Sequence, residues 1–116
     1  MAEPLRDPKN IQAQVEQFQR SQRQFSLLAS QRQQMLMQIE ELKLAQEYLK
    51  DSKEGAGIYK AIGNLLVETG TKEAKKELAD RIEVFELREK TLKKQEEAMH
   101  TQLEGMRKEL EKAVSS

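Results

Sequence analysis

Cysteine and tryptophan are absent from this chain, proline occurs twice, and aromatic residues make up only 4% of it. Without cysteine there is neither a disulfide framework nor thiolate chemistry, which fits an intracellular setting. An excess charge of one sign is missing too. Lys plus Arg and Asp plus Glu stand at 20 each, so no basic field draws in a phosphate backbone or an anionic lipid surface. No apolar run approaches the ~18 residues of a membrane span, and Met1 to Asp7 contains no hydrophobic signal region. Nucleic-acid and membrane partners are therefore not expected, and the expected location is cytoplasmic. His100 is the lone histidine and has no second ligand at metal spacing, so it reads as a surface residue.

Catalytic and cofactor signatures are missing as well. There is no nucleophile–base pair, no set of carboxylates framed by a cavity and no glycine-rich phosphate loop. Tyr59 falls in a strand-like run, where an aromatic is a packing residue. The chain reads as a non-enzyme with no cofactor.

Charged residues at 34% rival the hydrophobic 37%, too little apolar bulk for a thick globular core but suited to long helices. The 116 residues form one folding unit at most. Asp7-Pro8 reads as a helix start, with Asp7 as the cap and Pro8 in the first helical position. Ile11, Val15, Phe18, Gln22 and Phe25 then recur at coiled-coil spacing. The row continues through Leu28, Arg32, Met35, Ile39, Leu42, Gln46 and Leu49. Two successive steps of three, Gln22 to Phe25 to Leu28, predict a local overwinding of the supercoil. Between Thr71 and Val114 the heptad has no break. Leu78, Phe85, Leu92, Met99, Met106 and Ala113 alternate with Ile82, Glu89, Glu96, Leu103 and Leu110. The two seam glutamates are expected to weaken the middle of the pairing. Each helix would run about 65 Å at full length.

Between the helices the pattern changes. The stretch from Asp51 to Gly57 is expected to end the first helix through its paired glycines. Ile58 to Ile62 and Leu65 to Thr69 are strand candidates joined by Gly63-Asn64, a two-residue hairpin link. Thr71 is placed to cap the second helix, with Glu73 set favourably for the helix dipole. The fold class is therefore mainly α, a long antiparallel two-helix coiled coil with a central β-hairpin. Its divisions are helix one at 8–50, the hairpin insert at 55–70 and helix two at 71–114, in a single domain spanning 1–116. An isolated hairpin is at best marginally stable, and its edges call for a partner. Hairpins from several chains are expected to pair, through Ile58, Tyr59, Ile62, Leu65, Leu66 and Val67.

The run Ile58-Tyr59-Lys60-Ala61-Ile62-Gly63-Asn64-Leu65-Leu66-Val67-Glu68 resembles the hairpin signature of the prefoldin family, β class. The following Glu73 to Leu78 is similar to that family's start of helix two. Ile62 stands where valine is common and Glu68 where lysine is common. A single hairpin is what the resemblance implies for the β class, the archaeal type fitting best. It implies a hexamer of two α-class and four β-class subunits, so other copies of the chain and α-class subunits are partners. It further implies an ATP-independent co-chaperone that holds unfolded proteins at its coiled-coil tips and delivers them to a group II chaperonin. The tip residues are then Ile11, Val15, Phe18, Leu103, Met106, Leu110 and Val114. Arg107, Lys108 and Lys112 are candidates for chaperonin docking. The alternative is a structural or adaptor coiled coil with a fixed protein partner.

Overall fold

The computed structural model describes residues 8–53, 55 and 57–115. Its elements run in the order α1 (Pro8–Lys50), β1 (Ile58–Ile62), β2 (Leu65–Thr69) and α2 (Thr71–Ser115). The expected Asp7 cap lies outside the described residues. Both helices are built from Gln, Glu, Lys, Arg and Leu, residues that lose little side-chain freedom in a helix and stay wet on the outer face. With so few apolar residues, the buried set is small. Among the described residues the core holds Ile39, Ala74, Ile82, Leu103 and Ala113.

The chain divides into two compact units, one of residues 33–90 and one made of the two terminal stretches up to 32 and from 91 onward. Each contains antiparallel helical segments. In the terminal unit, the Phe25 ring lies 5.9 Å from that of His100, and Arg32 pairs with Glu96. In the hairpin unit, Lys43 reaches Glu86 at 3.7 Å, and Leu49 shares a groove with Ala74 and Leu78. Helix α2 follows its expected seam throughout, with Leu78 through Ala113 buried or half-buried at each heptad position.

Helix α1 departs from its expected seam. Gln22 is exposed, and Ser21, only 7% exposed, takes the inward position. Phe18, Ser21, Phe25 and Leu28 then step by three, four and three, so the irregularity expected at 22–28 is absent. The small Ser21 hydroxyl fits the seam, whereas the Gln22 amide stays solvated. Ala45, not Gln46, faces inward further on, so two successive steps of three occur instead at Ile39, Leu42 and Ala45. Of the two seam glutamates, Glu96 has a partner of opposite charge across the seam. The Glu96 carboxylate meets the Arg32 guanidinium, itself at a seam position, and the attraction offsets the cost of drawing both in from water.

Helix α1 ends and helix α2 begins at the expected bounds, Lys50 and Thr71, but Ser52 and Gly70 make the bonds there. Helix α1 stops at Lys50, well before Gly55. The Ser52 N–H donates to the Leu49 carbonyl at 3.0 Å, and its hydroxyl donates to the Tyr48 carbonyl at 3.4 Å. These bonds satisfy carbonyls the last turn leaves open. Gly55, at φ 91°, then supplies the left-handed turn. At the start of α2 the cap is Gly70, whose carbonyl accepts the first helical bond from the Ala74 N–H at 2.9 Å. Thr71 is one position further in and buried, and its hydroxyl donates to the Lys53 carbonyl at 3.3 Å, tying the segment after α1 to the start of α2.

Gly105 sits inside α2 with no structural need for glycine. Its φ is not positive, and a Cβ there meets nothing within 4 Å. Gly105→Ala is therefore expected to stabilise the fold by about 1 kcal/mol, seen as a raised midpoint of thermal unfolding by far-UV circular dichroism. An unchanged or lowered midpoint would contradict the open space around it.

Candidate functional site

Exposed apolar side chains are scattered singly along the helices, at Leu27, Met37, Leu44, Tyr48, Val84 and Leu87, but two surfaces gather them. The first is the hairpin. Strands β1 and β2 pair antiparallel with Ile58 opposite Thr69, Tyr59 opposite Glu68, Lys60 opposite Val67, Ala61 opposite Leu66 and Ile62 opposite Leu65. Gly63 adopts φ 57°, and among the described residues no non-glycine has positive φ. Only the first central position is therefore left-handed, the pattern of a type II′ turn that matches strand twist.

Paired residues share a face. Ile58, Lys60, Ile62, Leu65, Val67 and Thr69 lie on one face, and Tyr59, Ala61, Leu66 and Glu68 lie on the other. The first face is tethered at its base, where the Lys60 ammonium sits 2.6 Å from the Glu77 carboxylate of α2. Ile58 and Thr69 are accordingly half-buried. Toward the turn both faces are open, with Leu65 68% and Leu66 74% exposed. Ile62, Val67 and Tyr59 are exposed as well, the Tyr59 ring lying beside Gly57. Six large apolar side chains on a ten-residue ladder exceed what an isolated two-stranded sheet can shelter.

The second surface is the terminal unit. Phe18, Leu110 and Val114 line a groove of about 610 Å³ with Arg107 and Glu111 on its rim. Phe18 also lines a second groove of about 620 Å³, with Phe25 and Leu103. A third, of about 230 Å³, is formed by Gln14, Gln17, Gly105, Met106, Glu109 and Leu110. Of the residues singled out in the sequence, Ile11, Val15, Phe18, Met106 and Leu110 are half-buried. Leu103 is buried at 9% exposure, and Val114 is open at 73%. Leu103 thus belongs to the closed seam, while Val114 is free to meet another surface.

The terminal charges are partly engaged. Arg107 donates to Glu111 at 2.5 Å and to Glu104 at 3.0 Å, pairs three and four residues away along the helix. The hydrogen bond and charge of Arg107 hold the Glu104 carboxyl below the usual glutamate range. The same contact raises the Arg107 value. Lys108 is exposed. His100 is exposed and tilted against Phe25. Among the described residues no group of three or more His, Cys, Asp or Glu side chains could hold a metal ion. No described helix is long and apolar enough to cross a membrane.

Gln14 is the residue sequence reasoning missed. It lies half-buried between Ile11 and Phe18, and its Oε1 is buried with no hydrogen-bond partner among the described residues. The signal was present in the spacing, since Ile11, Gln14, Phe18 and Ser21 step by three, four and three. The greasier Val15 beside it drew the assignment instead.

Antiparallel helical segments joined through an exposed β-hairpin define a coiled-coil subunit with a β insert. The comparisons with known proteins agree on one family. The profile of the prefoldin subunit family matches residues 12–116. Over 110 residues the chain is 34% identical to prefoldin subunit beta of Sulfurisphaera tokodaii, covering 95% of this chain and 88% of that one. It is 36% identical over 115 residues to prefoldin subunit beta of Saccharolobus islandicus, covering 99% and 90%. The crystal structure of the prefoldin beta subunit from Thermococcus strain KS-1 superposes with a TM-score of 0.84 at 28% identity, covering 94% of this chain and 96% of that one. The chain belongs to the prefoldin subunit family, and both its single hairpin and its archaeal relatives are of the β class. Prefoldin subunits are chaperone-type proteins without enzymatic activity, and membership implies association with other prefoldin subunits.

Proposed function

We propose that the chain is the β-class subunit of an ATP-independent co-chaperone. Its hairpins assemble two α-class and four β-class subunits. Its terminal unit holds unfolded polypeptides, which pass to a group II chaperonin in the cytoplasm. The observation that carries this reading is the apolar groove of Phe18, Leu110 and Val114 in a chain of this family.

Full burial of one such side chain yields at most ~1.5–3 kcal/mol, and partial contact yields less. One terminal unit is therefore a weak binder. Several units on the same client raise the apparent affinity by about 10² to 10⁴ through effective concentration alone. Weak single contacts with strong joint ones suit a protein that must hold and later release. Met99 and Met106 add adaptable surface for varied clients.

Replacing Ile11, Val15 and Leu110 together by serine is expected to reduce suppression of aggregation of chemically denatured proteins at least tenfold, because the loss is repeated at every subunit. Native mass spectrometry should show the oligomer intact. Undiminished suppression by an intact oligomer would exclude the grip. Suppression confined to a single partner protein would favour a fixed-partner adaptor instead.

A further inference from the structure

The groove beside Gly105 joins two features that weaken the fold and that nothing among the described residues requires. Gln14 occupies a seam position, and its buried Oε1 has no donor. A buried acceptor without a donor is destabilising. Gly105 lies inside a helix without positive φ and without any neighbour that a Cβ would strike. Glycine is unfavourable there, and no close approach or turn within the chain calls for it. Between these residues lies a groove of about 230 Å³, with Met106 and Leu110 as apolar walls and Gln17 and Glu109 as polar ones. Departures from local rules that coincide at one place point to a binding site.

We propose that this groove takes the main chain of an extended, apolar stretch of unfolded polypeptide, with the Gln14 carboxamide turning into the groove to pair with a client peptide group. The inference rests on the reading that the terminal unit holds unfolded chains, and it names how that site reads them. A carboxamide presents one acceptor and two N–H donors, the complement of a peptide group. It therefore recognises any sequence. Turning out of the seam gives the buried oxygen a partner it lacks there. The bare backbone at Gly105 lets the client approach the helix closely, and Met106 and Leu110 flank it with apolar surface. The Glu109 carboxylate on the rim disfavours acidic client side chains and favours neutral or basic ones.

The test compares a short labelled leucine- and alanine-rich peptide with lysine ends against the same peptide N-methylated at alternate residues. Methylation keeps the side chains and removes N–H donors. Equilibrium fluorescence titration uses the full chain in its assembled oligomer. The wild type should bind the unmethylated peptide about fivefold more tightly, the worth of one net hydrogen bond. Gln14→Leu should erase that preference. Gly105→Met should weaken both peptides by filling the groove. Both variants should unfold at or above the wild-type temperature, so a loss of binding cannot be ascribed to a damaged fold. Absence of the preference in the wild type, or its persistence in Gln14→Leu, overturns the inference. So does wild-type affinity in Gly105→Met. If these two variants bind like the wild type while the Ile11, Val15 and Leu110 triple variant loses the peptide, the inference falls and the underlying reading stands. If the triple variant also binds like the wild type, both fall.

Discussion

Replacing Leu65 and Leu66 together with aspartate is expected to abolish assembly, leaving a chain that native mass spectrometry detects as a monomer with or without sister subunits. In the single chain these leucines are 68% and 74% exposed, so they contribute little to its own folding. Their burial between hairpins would each yield about 1.5–3 kcal/mol. Losing both removes roughly 10² to 10⁴ in association constant at each contact. Aspartate does more than remove this gain, because an unpaired carboxylate drawn out of water opposes association directly.

Leu65 and Leu66 point to opposite faces of the ladder, so a sheet that grows by adding strands must cover both. The helices should keep most of their far-UV signal, since neither leucine belongs to the α1 or α2 seam. The conservative Leu66→Met should assemble normally, because volume and apolarity are kept. A double aspartate variant that still forms the wild-type oligomer would move the assembly surface away from the hairpin altogether.

How far the sequence revealed this molecule follows from which signals are periodic. The α2 seam repeats without interruption from Leu78 to Ala113, and every position faces inward. The hairpin was equally legible, since two β-prone runs around Gly63-Asn64 leave one sensible pairing, and the observed register has it. The seam of α1 was harder, because its inward positions are not all apolar. Ser21 and Gln14 face in while Gln22 faces out, a choice made by the fit of a small hydroxyl and by the partner helix. Polarity alone ranks these residues together.

The helix bounds at Lys50 and Thr71 are as expected, but the residues that make the end bonds differ for a related reason. Gly55 and Thr71 are strong local signals, yet Ser52 and Gly70 make the bonds that matter. Capping depends on which backbone group the chain's path leaves open. The hairpin surface was visible in its excess of apolar residues. The Gln14 groove was not, because its meaning lies in two helices meeting, Gln14 on one and Gly105 on the other.

Opening Arg32–Glu96 from either side is expected to destabilise the terminal unit, whereas removing both partners together should not. The side chains are 29% and 17% exposed, sheltered enough that a charge left alone keeps much of its desolvation cost. For a half-buried pair this is about 1–3 kcal/mol per single substitution. Arg32→Leu should cost more than Glu96→Leu. It strands the shorter and more buried carboxylate, while the longer Arg32 side chain, once Glu96 is replaced, can extend its guanidinium to water along an apolar stem.

Arg32→Leu with Glu96→Leu places apolar residues at both seam positions. Thermal and denaturant unfolding followed by circular dichroism should find this double variant at least as stable as the wild type, since well-packed hydrophobic residues often equal or exceed a sheltered ion pair. The double-mutant cycle should therefore give a favourable coupling of roughly 2–6 kcal/mol, the sum of the two single costs. Additive single effects with no coupling would mean that water screens the pair and that it holds nothing. Given the coupling, the pair's contribution is one of alignment. A polar contact fixed at one level of the seam penalises helices that slide past each other, and the double leucine variant should show it through broadened unfolding even where its midpoint is higher.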